Sequence, residues 1–435
     1  WPLRRFESHR GNIILWQLKE KSLFFILSAI LIIMTLYGTD THRVTTNPDF
    51  QQFPLSSRLA NALVSCVIYL GKTFWPHRLA VLYPFPTHIV PWQTAGALLL
   101  IVVITTFVFM VMKRLPYLFV GWAWYMITIF PVIGIIQISF LTPYAMADRY
   151  HYLPSIGIAM MVALGVPLFF HNTNTSKKIL FPIAGVCLAM LAILSWKQCS
   201  YWINDIALFD HALQVTKDNY VAHNNLGQAL FLKGNVQEAI EHFNKAIGIN
   251  NNHYAAYVNR GNAYAGLGEY QLAVADYNKA VSINKTFFTA YYNRGNAYAD
   301  HGQYQNAVED FNKTIALNPD YADAYYNRAY IYNKLAQYQN AIDDYSNTIR
   351  IKPGHSEAYN NRGNVYARLG QYRRAIEDYN KAISMNYKDS KVFYNRIHAY
   401  FNNGDNVSGC RDAQKACEWG ECRLLEWAKN KNYCR

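Results

Sequence analysis

An asparagine recurs at an interval of 34 residues through the C-terminal half of this 435-residue chain. The six members are Asn225, Asn259, Asn293, Asn327, Asn361 and Asn395. Self-similarity at a fixed period of this length is typical of helical arrays, in which each unit stacks only on its neighbours. The period therefore predicts an α-solenoid in this half of the chain.

Other positions of the repeat carry a packing pattern. The repeats start near Tyr220, Tyr254, Phe288, Ala322 and His355, with an incomplete sixth from Ser390. Gly or Ala holds the eighth position, Ala holds the twentieth, and an aromatic residue holds the twenty-fourth. This pattern resembles the tetratricopeptide repeat over residues 220–408. The resemblance implies two antiparallel helices per repeat, with small residues at their close approach and large ones between neighbouring repeats.

Two charged positions change together along the array. Arg holds the seventh position of repeats two to six and Asp holds the twenty-third. In the first repeat both differ, since Leu226 and His242 occupy them. This joint change predicts a structural Arg–Asp pair within each of the later repeats.

The asparagine ladder at the sixth position has a polar companion three residues later, at the ninth. The companion is an asparagine at Asn262, Asn296 and Asn364. Residues three apart share a helix face, and a carboxamide both donates and accepts hydrogen bonds. We expect these columns to hold the backbone of an extended acceptor peptide. Hydrogen bonding between repeats, or simple exposure to solvent, is the alternative.

The N-terminal half is apolar and basic. Residues 1–200 contain 15 Lys and Arg against 5 Asp and Glu, out of a net charge of +13 for the chain. Because the basic residues flank apolar segments, we assign the excess to membrane topology and expect no nucleic-acid partner. The predicted spans are 22–38, 93–112, 117–141, 153–170 and 179–196, with an interfacial amphipathic helix at 55–75.

The basic flanks also predict an orientation. With five spans, every basic cluster lies on the cytoplasmic side, and everything after Trp196 lies outside the cytosol. The predicted location is a bacterial inner membrane with periplasmic repeats, or the endoplasmic reticulum with lumenal repeats. We divide the chain into a membrane domain (1–200), a connecting helix (201–219), the repeats (220–408) and a capping segment (409–435).

Four of the seven cysteines crowd the end of the chain: Cys410, Cys417, Cys422 and Cys434. In a domain placed outside the cytosol, an even cluster predicts two disulfides, for which three connectivities exist. A zinc site is the alternative, although the spacing lacks a CxxC pair. We predict no metal site elsewhere.

A short outer loop carries ionisable residues close to the membrane surface. Asp148 and Arg149 lie there beside Tyr150 and His151. The planar fork of an arginine suits phosphate oxygens, so Arg149 is a candidate for a lipid-linked phosphate. The alternative is an aromatic belt with an Asp–Arg surface pair. The chain contains no HExxH, GxSxG or phosphate-binding glycine loop.

Three segments carry a second resemblance: SSRLANALVSCVIYLGKTFWPHRLAVLYPFP, YLFVGWAWYMITIFPVIGIIQ and MADRYHYLPSIGI. They resemble the transmembrane and tetratricopeptide-repeat-containing proteins, which are C-type glycosyltransferases. The resemblance implies a polyprenyl-phosphate-linked sugar as donor and repeats that present an acceptor protein. It implies donor-phosphate contacts at Arg149, with Tyr150, His151 and Lys72 in support. It places a catalytic acid in the first outer loop, which we expect upstream of Trp1 in a longer parent chain.

Two further functions compete with sugar transfer. One is a non-enzymatic, membrane-anchored scaffold whose repeats recruit proteins for secretion or envelope assembly. The other is an oligosaccharide ligase or polymerase that combines spans with repeats. An acidic motif upstream of Trp1 in the parent chain favours the transferase, whereas a parent that begins within this sequence favours the scaffold. The sequence leaves the sugar, the acceptor, a divalent metal and the oligomeric state open.

Overall fold

The computed structural model describes residues 54–76, 78–86, 89–133, 144–148, 151–165, 173–385, 390–418 and 420–434. The chain divides into two compact units, Trp1–Ala222 and His223–Arg435. Apart from one short pair of strands, the regular structure of the described residues is helical. The predicted all-α class and the α-solenoid are therefore correct.

The first unit contains six described helices. They are α1 (Leu55–Phe74), α2 (Pro91–Val111), α3 (Pro116–Ile129), α4 (Tyr152–Gly165), α5 (Thr173–Ser200) and α6 (Asp205–Val215). A 3₁₀ turn, Phe130–Val132, follows α3. The strands β1 (Tyr83–Pro84) and β2 (Tyr144–Met146) pair antiparallel.

Two described helices are long and apolar enough to cross a membrane, Pro91–Val111 and the Phe181–Ser200 part of α5. They match the predicted spans at 93–112 and 179–196. The helices α3 and α4 have 14 residues each, about 21 Å of length, which is short of the ~30 Å hydrocarbon core. Residues 134–141 and 166–170 of those two predicted spans lie outside the described residues, as does the predicted span at 22–38. The count of five spans is thus not confirmed.

The helix α1 joins the apolar core of the first unit through one face. Ala62, Cys66 and Tyr69 on that face are buried, in a cluster with Trp122 and Tyr125 of α3. The Tyr125 hydroxyl donates to the Cys66 carbonyl at 2.6 Å. This packing fixes the C-terminal end of α1, which carries Lys72, relative to α3.

The second unit is a stack of helical hairpins. Its first helices are α7 (Tyr220–Leu232), α9 (Tyr254–Gly266), α11 (Phe288–Asp300), α13 (Ala322–Lys334), α15 (Ser356–Arg368) and α17 (Ser390–Asn402). Its second helices are α8 (Val236–Ile249), α10 (Tyr270–Ile283), α12 (Tyr304–Leu317), α14 (Tyr338–Ile351), α16 (Tyr372–Ser384) and α18 (Asn406–Glu418). A final helix, α19 (Arg423–Asn430), packs on α18. From α9 onward, successive first helices contact one another, so they line the inner face of the array.

The close approach of the two helices explains the small residue at the eighth position. A Cβ placed on Gly261 would lie 2.7 Å from ring carbon Cε1 of Tyr277. Gly295 and Phe311 stand in the same relation, at 2.9 Å. The aromatic ring at the twenty-fourth position therefore fills the space that a side chain at the eighth would need. This confirms the role of small residues that the tetratricopeptide pattern implies.

Every predicted Arg–Asp pair is present. In each pair the Nε of the arginine lies 2.7–2.8 Å from one carboxylate oxygen of its aspartate. The pairs are Arg260–Asp276, Arg294–Asp310, Arg328–Asp344, Arg362–Asp378 and Arg396–Asp412. In the first four, Nη2 also donates to the second oxygen. The five pairs join the two helices of repeats two to six, and the first four do so through both carboxylate oxygens.

The same arginines also tie each repeat to the one before it. Their Nη1 donates to the side chain at the twenty-fifth position of the preceding second helix. The acceptors are Asn244, Asn278, Asn312, Ser346 and Asn380. Four of these five are asparagines at the 34-residue period, so this second column was visible in the sequence although we did not single it out.

The first repeat replaces this network with two histidines. His223 Nδ1 lies 3.0 Å from His242 Nδ1. Burial, together with the nearby His242 and Lys245, lowers the pKa of His223 to about 4. The folded protein therefore holds His223 neutral at neutral pH.

This histidine pair predicts an acid-sensitive first repeat. The pKa of His223 is depressed in the folded state, so the unfolded state binds more protons between about pH 6.5 and 4. Stability from this site is present above that window and is lost as pH falls through it. His223→Tyr installs the residue that repeats two to five have at this position. Between pH 7 and pH 4, we expect its melting temperature to fall less than that of the unsubstituted chain.

A matched control for this effect is His301→Tyr, at an exposed turn. Thermal denaturation followed by circular dichroism measures both variants across the pH range. An acid-induced decrease for His223→Tyr equal to that of the unsubstituted chain would contradict the assignment.

The four terminal cysteines form two disulfides in the structure. Cys410 pairs with Cys434 and Cys417 with Cys422. The first bond joins α18 to the segment after α19. Ala428 of α19 and Cys434 are buried in one cluster with Phe401 of the last first helix. The segment thus covers the end of the hairpin stack.

Candidate functional site

The strand pair brings together two loops that are far apart in sequence. Tyr83 is paired with Met146, and Pro84 with Tyr144. This pairing places Asp148 beside the C-terminal end of α1 and beside the segment 78–83. No pattern in the sequence predicts a strand pair in this helical domain.

The Asp148 carboxylate accepts hydrogen bonds from three groups. Lys72 Nζ donates to its two oxygens at 2.9 and 3.0 Å. The Tyr83 hydroxyl and the Ala80 backbone amide each donate to Oδ2 at 2.7 Å. Lys72 Nζ also hydrogen-bonds the Tyr83 hydroxyl and lies 4.0 Å from the centre of that ring. Only 12% of the Lys72 side chain and 13% of the Asp148 side chain are exposed, so each charge is offset by the other.

The neighbouring His151 completes this cluster on α1. Its Nε2 lies 2.8 Å from Thr73 Oγ1, and its ring stacks on Tyr69 with centroids 5.1 Å apart. The Tyr69 hydroxyl in turn donates to the Ala147 carbonyl at 2.8 Å. Asp148 and His151, which flank positions 149 and 150, are therefore both bound to side chains of α1.

Burial governs the ionisation of this cluster. It lowers the pKa of Lys72, while the charge of Asp148 and its hydrogen bond act in the opposite direction. Burial also lowers the pKa of His151, which Asp148 raises and Lys72 lowers further. Burial raises the pKa of the Tyr83 hydroxyl, and Asp148 adds to this increase. Tyr83 is thus a neutral donor, and His151 is biased toward its neutral form.

The predicted phosphate contacts have separate outcomes. Lys72 and His151 lie in the same cluster. Lys72 binds Asp148, and His151 lies within hydrogen-bond distance of Thr73. Arg149 and Tyr150 lie outside the described residues, so their role stays a prediction. Asp148 pairs with Lys72 in the structure, and Lys72 would have to leave a carboxylate to contact a phosphate. The residues that we did not single out are Tyr83 and Thr73.

The asparagine ladder forms hydrogen bonds between repeats. In three junctions the sixth-position amide donates to the ninth-position amide of the preceding repeat: Asn293 to Asn262 at 2.9 Å, Asn327 to Asn296 at 2.8 Å and Asn395 to Asn364 at 2.8 Å. In the other two junctions, Asn259 donates to Asn224 and Asn361 to the Tyr326 hydroxyl, both at 2.9 Å. Asn225 accepts from Asn224. The bonding between repeats that we kept as the alternative is therefore present.

These bonds use the side-chain oxygen of the ninth-position carboxamides Asn262 and Asn364. Asn262 Oδ1 accepts from Asn293 and from the Tyr277 hydroxyl. Asn364 Oδ1 accepts in the same way from Asn395 and from Tyr379. The Nδ2 groups of Asn262 and Asn364 have no partner among the hydrogen bonds of the described residues.

Comparison with known protein families identifies the repeats. A family model described as "Tetratricopeptide repeat" matches residues 220–253, 288–321, 322–355 and 356–386. A second model, described as "TPR repeat", matches residues 261–302. The C-terminal part of the chain is therefore a tetratricopeptide-repeat array.

The chain matches curated proteins named protein O-mannosyl-transferases over a small part of their length. The chain is 29% identical over 117 residues to Protein O-mannosyl-transferase TMTC3 of Mus musculus, which is 26% of this chain and 12% of that protein. It is 27% identical over 118 residues to TMTC4 of Mus musculus, which is 26% of this chain and 15% of that protein. The chain thus spans less than a sixth of the length of these relatives.

Solved structures also resemble the chain. A MamA crystal structure is 31% identical, with a TM-score of 0.36, over 38% of this chain and 97% of that one. The structure of YrrB, described as a TPR protein with an unusual peptide-binding site, is 20% identical, with a TM-score of 0.38, over 43% of this chain and 96% of that one.

Proposed function

We propose that this chain is the C-terminal part of a membrane-embedded glycosyltransferase. It would transfer a sugar from a polyprenyl-phosphate donor to acceptor proteins held by an extracytoplasmic tetratricopeptide array. The observation that carries the proposal is the union, in one chain, of apolar membrane-length helices, a tetratricopeptide array and sequence identity to O-mannosyl-transferases. We further propose five spans, with the predicted topology.

The two disulfides support an extracytoplasmic location for the repeat array. Cys410–Cys434 and Cys417–Cys422 both lie in the segment that covers the array. Such bonds persist in the periplasm, the endoplasmic reticulum and the cell exterior, where the environment is oxidising. A lumenal or periplasmic array is consistent with these bonds.

The cluster around Asp148 supports a donor-phosphate role for Arg149. Asp148 is held by Lys72, Tyr83 and Ala80, and His151 is held by Thr73. The residues on both sides of positions 149 and 150 are thus anchored to α1. In our proposal Arg149 binds the leaving phosphate, with Tyr150 and His151 beside it, and Lys72 positions the loop through Asp148. The acceptor hydroxyl and a carboxylate base complete such a transfer.

Substitution of Arg149 tests this proposal. In the full-length parent protein, Arg149→Ala is expected to lower the rate of sugar transfer from a polyprenyl-phosphate donor by about 10²-fold, because a charged donor to the developing phosphate is lost. The assay follows radiolabelled sugar incorporation into acceptor protein.

The matched control is Arg114→Ala, at the cytoplasmic flank in the predicted topology. It makes the same change of charge and side chain at a position away from the outer loop, so the rate of transfer should remain near that of the unsubstituted protein. Unchanged transfer by Arg149→Ala would remove the phosphate role from this residue.

The ninth-position column gives a test of acceptor binding. Asn262→Asp with Asn296→Asp keeps an oxygen to accept from Asn293 and Asn327 but replaces the Nδ2 donors. Binding of extended Ser- and Thr-containing peptides should weaken about tenfold, because a lost donor leaves a peptide carbonyl unpaired. Fluorescence polarisation with a labelled peptide library measures the change.

Asn278→Asp with Asn312→Asp is the control for the two added charges. These residues accept hydrogen bonds from Arg294 and Arg328 on the second-helix side of the array, so the substitutions preserve those bonds. Equal weakening by the control, or none by the double variant, would assign the ladder to structure alone.

The second candidate function is a membrane-anchored scaffold. The observation in its favour is that the repeats are the part of the chain that family descriptions match. A scaffold predicts peptide binding that is sensitive to the ninth-position column, with no sugar transfer by the full-length parent. The two assays above therefore separate the candidates.

A further inference from the structure

Three arginines are concentrated at the turn of one helical hairpin, the one that α15 and α16 form. Arg368 is the last residue of α15, and Arg373 and Arg374 follow the first residue of α16. Residues 356–385 contain five Lys and Arg against three Asp and Glu, a net charge of +2. The same positions of the four repeats before it have net charges of 0, 0, −1 and 0. The fifth repeat is therefore the basic one among the first five.

Two of these arginines depart from the repeat pattern. At the position of Arg373, the four preceding repeats all have glutamine: Gln237, Gln271, Gln305 and Gln339. At the position of Arg374, the third and fourth repeats have Asn306 and Asn340. Each of these asparagines donates to the glutamine three residues earlier, at 3.0 and 3.2 Å, as Arg374 does to Gln371 at 3.0 Å. An uncharged residue thus makes the same local hydrogen bond, so that bond does not require the charge.

The charges of Arg373 and Arg374 do not stabilise the helix that carries them. A helix has a partial positive charge at its N-terminal end, so a cation in the first turn is unfavourable. Both arginines lie in the first turn of α16, which contains no acidic residue. The arginines at the seventh position of repeats two to six each bind an aspartate. By contrast, the three arginines of this turn are exposed and form no ion pair within the described residues.

The three arginines adjoin the inner face of the array. Arg368 lies four residues after Asn364 on α15, so the two share a helix face. It lines a cavity of about 540 Å³ together with Asn364 and Asn395, which belong to the two polar columns. The other two arginines line a second cavity, of about 440 Å³, and Tyr372 lines both. None of the residues that line either cavity is acidic. A segment that lies along the columns therefore reaches the arginines.

The chemistry of this cluster favours a peptide with several carboxylates. A guanidinium presents a planar fork of donors that suits carboxylate oxygens. Three cations beside two adjoining cavities exceed the charge that a single carboxylate neutralises. An extended peptide projects successive side chains to opposite faces, so a run of acidic residues contacts more than one arginine. Because the polar columns beside the cluster suit a peptide backbone, an acidic peptide fits better than a free anion.

We propose that the turn between α15 and α16 binds an acidic segment of the acceptor protein. Arg368, Arg373 and Arg374 pair with its Asp and Glu side chains, while the neighbouring columns hold its backbone. This inference rests on the proposed acceptor binding by the inner face, and it adds a sequence preference to that binding. It also fixes a position, because the acidic run lies at the fifth repeat.

The repeat pattern supplies the test variant. Arg373→Gln with Arg374→Asn installs the residues that the fourth repeat has at both positions, and it keeps a donor for Gln371. The control is Lys279→Gln with Lys313→Gln, at exposed positions of the second helices of repeats two and three. Both variants remove two positive charges, so a difference between them is due to the location of the charges.

The measurement compares the binding of two labelled peptides to the full chain in a non-ionic detergent. Both are short Ser- and Thr-containing peptides with amidated C-termini, and one has Glu where the other has Gln at three positions. Fluorescence polarisation should give a Kd about tenfold lower for the Glu peptide, because each exposed ion pair contributes little and three act together. Arg373→Gln with Arg374→Asn should remove most of this preference, and the lysine control should keep it. Raising the salt from about 50 to about 300 mM NaCl should reduce the preference through screening.

Equal dissociation constants for the two peptides would overturn the proposal, and so would a preference for Glu that the arginine variant retains. Binding of inorganic phosphate that the arginine variant abolishes, without a preference for Glu, would define a small-anion site instead. These results leave the proposed acceptor binding intact, because that binding is tested by the Gln peptide and by Asn262→Asp with Asn296→Asp. Binding of neither peptide would contradict the acceptor binding itself, and this inference with it.

Discussion

Replacement of Asp344 by alanine is expected to lower the free energy of unfolding by about 3–5 kcal/mol. Asp344 is buried and binds Arg328 through both carboxylate oxygens, at 2.7 Å each. Its removal leaves the guanidinium between the rings of Tyr325 and Tyr332 without a counter-charge. A buried charge without its partner is strongly unfavourable. Chemical denaturation of the full chain, followed by circular dichroism, measures the loss.

The adjacent Asp343 provides the control. It is exposed and accepts one hydrogen bond from Gln339 on the same helix, so Asp343→Ala should cost less than about 0.5 kcal/mol. The combined variant Arg328→Met with Asp344→Leu should recover much of the loss, because it removes both charges. A cost for Asp344→Ala equal to that of the control would show that the pair does not stabilise the array.

Removal of the Cys410–Cys434 disulfide is expected to lower the free energy of unfolding by about 3 kcal/mol, because a loop of this length restricts the entropy of the unfolded chain. The bond encloses a sequence separation of 24 residues and ties the end of the chain over Phe401 and Ala428. Its loss should release α19 before the rest of the array, because each repeat is stabilised mainly by its neighbours. Hydrogen exchange of α17 to α19 in Cys410→Ala with Cys434→Ala measures this.

The second disulfide gives the matched comparison. Cys417 and Cys422 are separated by 5 residues, so the same account assigns that bond a smaller cost of about 2 kcal/mol. Exchange in α19 that is slower in the Cys410–Cys434 double variant than in the Cys417–Cys422 double variant would contradict the role of the longer loop.

The repeat half was predictable because its information is local and redundant. The small residue at Gly261, the aromatic ring at Tyr277 and the Arg260–Asp276 pair recur at one period, so each confirms the others. The joint change at Leu226 and His242 predicts the pairing from the sequence alone. The pairing of the terminal cysteines was different, because the number of cysteines admits three connectivities and only packing selects one.

The N-terminal half was less predictable. Apolar length locates α2 and α5, but it does not show where α3 ends, since the 3₁₀ turn that follows it lies inside an apolar run. Lys72 and Asp148 are 76 residues apart, and nothing in their local sequence pairs them. The contact depends on the β1–β2 pairing and on the face that α1 buries.

The sequence alone determined the period, the hairpin repeat, the charged pairs and the polar columns, because each rests on contacts at fixed separations within or between adjacent repeats. Only the tertiary structure decided which atoms of those columns are in use. It engaged the sixth-position amides between repeats and gave the side-chain oxygens of Asn262 and Asn364 two donors each. Hydrogen-bond satisfaction depends on the three-dimensional position of every neighbouring donor and acceptor, and a spacing in the sequence does not contain that information.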